Sequence, residues 1–151
     1  MKKIGALLYA VLILNCFACT KDDELVIERK QWLLINKKWQ LSGMSINTGG
    51  IVVNEYDSLP SYRKDDYFIF RPDSTYEFND NTDTMPGNTS SILDIGTWSF
   101  NEKQMELGMH SDQYNSTYNP AKILELTTTN LSLQRTHPGD GSITVTNYIA
   151  F

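Results

Sequence analysis

Between Lys38 and Phe151, apolar and polar residues alternate in short runs, and few folds accept such a chain. Trp39, Leu41 and Gly43 alternate with Gln40 and Ser42. Phe68 and Phe70 alternate with Tyr67 and Ile69, Tyr76 and Phe78 with Thr75 and Glu77. Gly96, Trp98 and Phe100 alternate with Thr97 and Ser99, and Met105, Leu107 and Met109 with Glu106 and Gly108. Leu124 and Leu126 follow the same rule around Glu125, as do Leu131 and Leu133 around Ser132, and the end from Ile143 is rich in β-branched and aromatic residues. Pro72-Asp73-Ser74, Asn101-Glu102-Lys103 and Thr128-Thr129-Asn130 separate runs with turn formers. Successive side chains of a strand point to opposite faces, so this period marks strands with one dry and one wet face.

About eight such strands with mostly short links favour antiparallel neighbours, and closure into a barrel removes the unpaired edges an open sheet would leave. The expected fold is all-β: an antiparallel up-and-down barrel of about eight strands preceded by a short helix. The helix is placed at Leu25 to Ile35, with Leu25, Val26, Trp32 and Leu33 on its apolar side, and it would plug one end. Gly43 and Gly96 are expected where the sheet bends sharply. Trp39, Phe68, Phe70, Tyr76, Phe78, Trp98, Phe100, Met105 and Leu107 would point inward. At ordinary packing density such bulky side chains would largely fill a small barrel.

Ahead of this domain stands Met1-Lys2-Lys3, followed by an apolar run from Ile4 to Leu14. A membrane-spanning helix needs roughly 20 residues. A positive tip before a shorter apolar run has the pattern of an export signal. The run ends in Leu14-Asn15-Cys16-Phe17-Ala18-Cys19. Ala18-Cys19 resembles the end of the lipobox of bacterial lipoproteins. That resemblance implies cleavage after residue 18 and lipid on Cys19, with Cys16 as the competing position. The two cysteines both lie here, so the domain has no disulfide framework and must rely on its core. Thr20-Lys21-Asp22-Asp23-Glu24 reads as a polar tether over residues 19–24, and it resembles the surface-export signal of Bacteroidetes lipoproteins. The expected organisation is a signal peptide at 1–18, a lipidated tether at 19–24 and a barrel domain at 25–151. Attachment is expected at the outer membrane through the lipid on Cys19, facing the cell surface, with the periplasmic face as the alternative.

The chain carries 13 basic and 18 acidic side chains, a net charge of −5. Loss of Lys2 and Lys3 with the leader takes this to about −7. Nucleic acid and anionic lipid surfaces call for the opposite balance, so nucleic acid is excluded as a partner.

Trp39 on the first strand, Phe68-Ile69-Phe70-Arg71-Pro72-Asp73-Ser74-Thr75-Tyr76 around a hairpin and Gly96-Thr97-Trp98 opening a middle strand make a set. With Leu124-Glu125-Leu126 and Leu131-Ser132-Leu133, they resemble the lipocalin-like domains of Bacteroidetes lipoproteins, over roughly Ile35 to Phe151. Lipocalins proper have Gly-x-Trp on the first strand and a late Arg that packs over the Trp. Here the first motif is Lys37-Lys38-Trp39, without the Gly, and the resemblance gives the late position to Arg135.

No catalytic constellation is evident. His110 and His137 are single histidines expected in loops, no Gly-x-Ser-x-Gly elbow occurs and no zinc spacing is present. Asp80-Asn81-Thr82-Asp83 lacks the Gly and Glu of a calcium loop and reads as a solvated turn. No metal, cofactor or enzymatic activity is expected. The irregular stretches Asn47 to Lys64, Asp80 to Ser91 and His110 to Asn119 would gather at the barrel ends, with Tyr56, Tyr62, Tyr114 and Tyr118 available for recognition. Ile51-Val52-Val53 would be an extra strand or a lid. Asp57-Ser58-Leu59 and Asp83-Thr84-Met85 resemble acceptors for O-glycosylation at Ser58 and Thr84; Asp73-Ser74-Thr75 sits in a tight hairpin. The chain is therefore expected to be an envelope-anchored lipoprotein with a non-catalytic interaction or scaffold role and an envelope protein or glycan partner. The alternative is a small apolar ligand or glycan bound in the barrel or at its loop end.

Overall fold

Every strand among the described residues pairs antiparallel with its neighbours in one sheet, and the sheet closes on itself. The computed structural model describes residues 30–101 and 105–151. The strands are β1 (Lys38–Thr48), β2 (Ile51–Asn54), β3 (Tyr67–Phe70), β4 (Thr75–Asn79), β5 (Ile92–Asn101), β6 (Glu106–Ser111), β7 (Ser116–Leu126), β8 (Asn130–Thr136) and β9 (Ile143–Ala150). Residues 30–34 are helical (α1), and a single turn, α2 (Ser61–Lys64), precedes β3. Eight strands form the ring: β1, then β3 to β9 in order, with β9 returning to β1 from Trp39↔Ala150 to Asn47↔Ile143. The all-β, eight-stranded antiparallel barrel with a short helical element before it is thus the observed architecture.

β1 is shared. Its first residues pair with β3 (Lys38↔Ile69 to Gln40↔Tyr67), and its far half pairs with β2 (Ser45↔Asn54 to Thr48↔Ile51). Ile51-Val52-Val53 is therefore a real strand that extends the barrel wall. All three side chains are exposed. The turn before it, Gly49-Gly50, has φ of 59° and 89°, a conformation that glycine adopts without strain.

Local chemistry bends the wall. A register shift between Leu41 and Gly43 interrupts the β1–β9 ladder. At Gly96, where a bend was also expected, both ladders run in regular register, and glycine is needed because a Cβ there would collide with the backbone carbonyl of His110 on β6. In β7 the shift between Ile123 and Glu125 uses up one residue, as a bulge does. Ile123 is consequently buried and Leu124 exposed, reversing the inward position expected for Leu124.

The termini of the strands define two unlike ends. One is closed by α1. Leu34 and Ile35 are buried there, whereas Trp32 is 67% exposed, so the apolar side of the helix is not the one expected from Trp32. The Asn36 N–H donates to the Phe70 carbonyl, tying the helix to β3. The other end carries α2, residues 80–91 and the β6–β7 and β8–β9 connections. The expected loop His110 to Asn119 is instead the hairpin of β6 and β7, with only 112–115 left as a turn, because both flanks alternate well enough to pair. Residues 1–18, Cys19, the tether and the first part of the expected helix lie outside the described residues. Among the described residues no helix is long and apolar enough to cross a membrane.

Candidate ligand-binding site

The closed half of the barrel is packed. Trp39, Phe70, Trp98, Leu107, Leu131 and Leu133 are all buried, and Phe100 packs against them. Each buried indole keeps its N–H satisfied: Trp39 Nε1 donates to the Leu34 carbonyl at 2.7 Å, and Trp98 Nε1 to the Arg71 carbonyl at 3.1 Å. The void left between Trp39, Phe70, Leu131 and Tyr148 is about 10 Å³, the room of a single water. Lys37 completes this end, with Nζ bonded to the carbonyls of Leu33 and Thr128 and 5.5 Å over the Trp39 ring. The cation over the first-strand Trp is therefore Lys37. Arg135, given that role by resemblance, has its guanidinium 5.9 Å from the Tyr118 ring instead.

The open half is hollow, contrary to the expectation of a mostly filled interior. The cross-strand pair Phe68 and Phe78 stacks at 4.4 Å and forms a partition. On the side of β5 to β7 lies a cavity of about 320 Å³, bounded by Tyr62, Met85, Leu93, Met109, Tyr114 and Tyr118. On the side of β9 lies one of about 280 Å³, bounded by Leu41, Met44, His137, Thr144, Thr146 and Tyr148. Both also touch Arg63, Asp66, Phe68, Phe78 and Arg135, so they are lobes of one mouth. A largely apolar concavity with a few convergent polar groups is the usual form of a small-molecule site.

Three hydroxyls meet one carboxylate on its wall. Asp94, which is 5% exposed, accepts from Tyr76 at 2.6 Å and Tyr118 at 2.9 Å on Oδ2, and from Ser111 at 2.6 Å on Oδ1. Burial first, and then the hydrogen bond to Asp94, pushes both phenols above their ordinary values. They stay protonated and donating.

Three charged side chains line both lobes: Arg63, Asp66 and Arg135. Asp66 is 2% exposed, and its Oδ1 has no hydrogen-bond partner. Burial, aided by the charges of Asp80 and Asp65 and opposed by Arg63, raises its carboxyl from 3.8 to about 7. Arg135 reaches in from β8. Its Nε is buried without a partner, and its Nη2 has only the Met109 sulfur at 3.8 Å. Above the mouth, Asp65 Oδ2 accepts from the backbone N–H groups of Thr82 and Asp83, both at 2.9 Å. Asp80 Oδ2 accepts from Asn88 at 2.8 Å and from the Met85 N–H at 3.3 Å, which holds Met85 against the cavity.

Of the residues singled out from the sequence, Trp39, Phe70, Trp98 and Phe100 lie in the packed half, whereas Phe78 faces the mouth. Met105 is misplaced by the period: it sits at φ 54° in the turn before β6, and the inward alternation starts at Leu107. Ser58 and Thr84 are both exposed, on the segment after β2 and on the 80–91 loop. The Ser58 hydroxyl donates to the Glu55 carbonyl at 2.8 Å. His110 is in β6, 3.0 Å from the Thr117 hydroxyl, and His137 borders the smaller lobe, 2.8 Å from the Thr144 hydroxyl. Among the described residues no three His, Asp, Glu or Cys side chains converge as metal ligands. Asp66, Asp94 and Ser111 were not anticipated.

Comparison with curated proteins finds no match. The lipocalin-like domain family matches residues 35–133, which takes in the chain from the end of α1 through most of β8. That span covers most of the barrel and the greater part of the mouth, and the chain belongs to the lipocalin-like domain family.

Proposed function

We propose that this protein is a non-catalytic binding protein of the cell envelope, which holds a small apolar or amphipathic ligand in the open half of its barrel. The observation that supports this best is the division of the interior. Aromatic and aliphatic side chains fill the closed half, yet the same alternation leaves a lobe of about 320 Å³ at the mouth. Ligand pockets begin at about this size, so the occupant is compact: a short amphiphile or a sugar-sized fragment, not a long acyl chain. Tyr62, Tyr114 and Tyr118 around the larger lobe suit either an apolar body or a sugar face.

The same proposal includes the anchor. Lipid on Cys19 would hold the barrel at the outer membrane, facing the cell surface by preference over the periplasm. An interaction role has one feature in its favour, the exposed Ile51, Val52 and Val53 on the edge strand β2, and stands as the second reading.

Titration of the purified protein with a neutral apolar fluorophore tests the main reading. Saturable one-to-one binding is expected, and Leu93→Trp, which puts an indole at the larger lobe, weakens it. No binding to the native protein would overturn the reading.

A further inference from the structure

The mouth gathers two cations in a chain whose net charge is negative. The protein is net −5, but two arginines, Arg63 and Arg135, border both lobes of its cavity. The acids that share the space are spoken for. Both oxygens of Asp94 already accept from hydroxyls fixed in the wall, three donors in all. Asp66 lies against Arg63, Asp65 and Asp80, and its carboxyl is held largely protonated below neutrality.

Among these groups Arg135 is the one with a donor buried without a partner. A guanidinium has five N–H donors in a rigid fork and is always charged. Among the described residues the one ion pair joins Arg71 to Glu77 on the wall, so Arg135 has no carboxylate partner. Its Nε is shut off from solvent with nothing to donate to, and the thioether of Met109 is a weak acceptor. Burying part of a cation without an anion is unfavourable, and an incoming acid group removes that penalty. Apolar surface surrounds it: Phe68, Phe78 and Met109 border the larger lobe together with Arg135. Tyr148 stands on the other side, close enough for the Arg135 charge to act on its phenol.

We propose that the mouth selects compact amphipathic anions, with the acid group of the ligand on the Arg135 guanidinium and its apolar body against Phe68, Phe78 and Met109. This rests on the ligand-binding reading above and adds the chemistry of the head group. A planar carboxylate and a phosphate monoester both match the fork of the guanidinium.

The test uses purified full-length protein and four probes with the same eight-carbon tail, below their micelle-forming concentrations: octanoate, octyl phosphate, 1-octanol and octyltrimethylammonium. Each displaces a neutral apolar fluorophore. One of the two acids is expected to bind about tenfold or more tighter than octanol, as a charge-assisted hydrogen-bond pair provides, and the ammonium to bind worst. Which acid wins identifies the head group. Arg135→Gln should bring that acid down to the level of octanol, and Arg135→Lys should restore part of the preference, since it keeps the charge but loses the fork. Octanol binding as well as the acids, or a preference that survives Arg135→Gln, overturns the proposal while leaving a binding barrel. Failure of all four probes and of the fluorophore overturns both.

Discussion

Phe68 and Phe78 face each other across β3 and β4 with ring centroids 4.4 Å apart and planes 23° from parallel. The pair divides the barrel interior. Phe68 continues inward as a stack on Phe70, at 5.8 Å, and so joins the packed half. Phe78 borders only the two lobes of the mouth. One cross-strand contact thus marks where filling stops.

The packed half should carry the stability. Trp98 is 4% exposed, meets Phe70 and Phe100 edge to face and bonds the Arg71 carbonyl. Trp98→Ala is expected to cost roughly 3–5 kcal/mol, the range for a large buried aromatic. Urea denaturation of the two proteins measures it.

Asp94 should matter more than any one of its donors. Tyr76→Phe removes one hydroxyl from a carboxylate that keeps two other donors and is expected to cost about 1.5 kcal/mol. Asp94→Ala leaves the hydroxyls of Tyr76, Tyr118 and Ser111 without their acceptor and is expected to cost more, roughly 2–4 kcal/mol. A double-mutant cycle with Tyr76→Phe should then show clear coupling, because the Tyr76 hydroxyl has already lost its partner in Asp94→Ala.

Asp66 gives stability a dependence on pH. Its folded value is raised to about 7 from 3.8, so between those values the unfolded chain gives up the proton and the folded chain keeps it. The contribution is therefore fully present below about pH 4, falls as pH rises toward 7, and is lost above it. Asp66→Asn should flatten this fall and be the more stable protein at pH 8, by on the order of 2 kcal/mol, allowing for the solvent that reaches the cavity. Melting temperatures from pH 4 to 8 test it. An unchanged slope in Asp66→Asn would show that Asp66 titrates normally.

The fold was legible because the two-residue period survives over most of the ring, and the same parity also marks polar residues of the mouth. Asp66 precedes Phe68 and Phe70 at the same spacing, Asp94 precedes Gly96 and Trp98, and Arg135 follows Leu131 and Leu133. Each is a charged residue on a dry face, which is the signature of a polar group in a cavity. In the sequence nothing but this parity sets Asp66 and Asp94 apart, and Arg135 is marked by the resemblance. Bulges hid other positions, since the slip between Ile123 and Glu125 turns Leu124 outward. The division into filled and hollow halves was not legible. Bulk alone cannot say at which height the large side chains stand, and Phe68 with Phe78 ends the packed region where Tyr118, Arg135 and Thr146 begin.

The anchor is open to a direct assay. With an acyl-chain probe supplied to growing cells, the native protein should label and Cys19→Ala should not. Label on a processed Cys19→Ala protein would move the site, and Cys16 would be the position to change next.

The central claim is that a hollow mouth sits on a filled base, and a methyl-resolved nuclear magnetic resonance titration with octanoate tests it most directly. Saturable shifts are expected at the methyl groups of Met85, Leu93 and Met109, which border the larger lobe, while Leu107 and Leu131 in the packed half stay where they are. Shifts centred on Leu107 and Leu131, or none that saturate at any methyl group, would contradict the account.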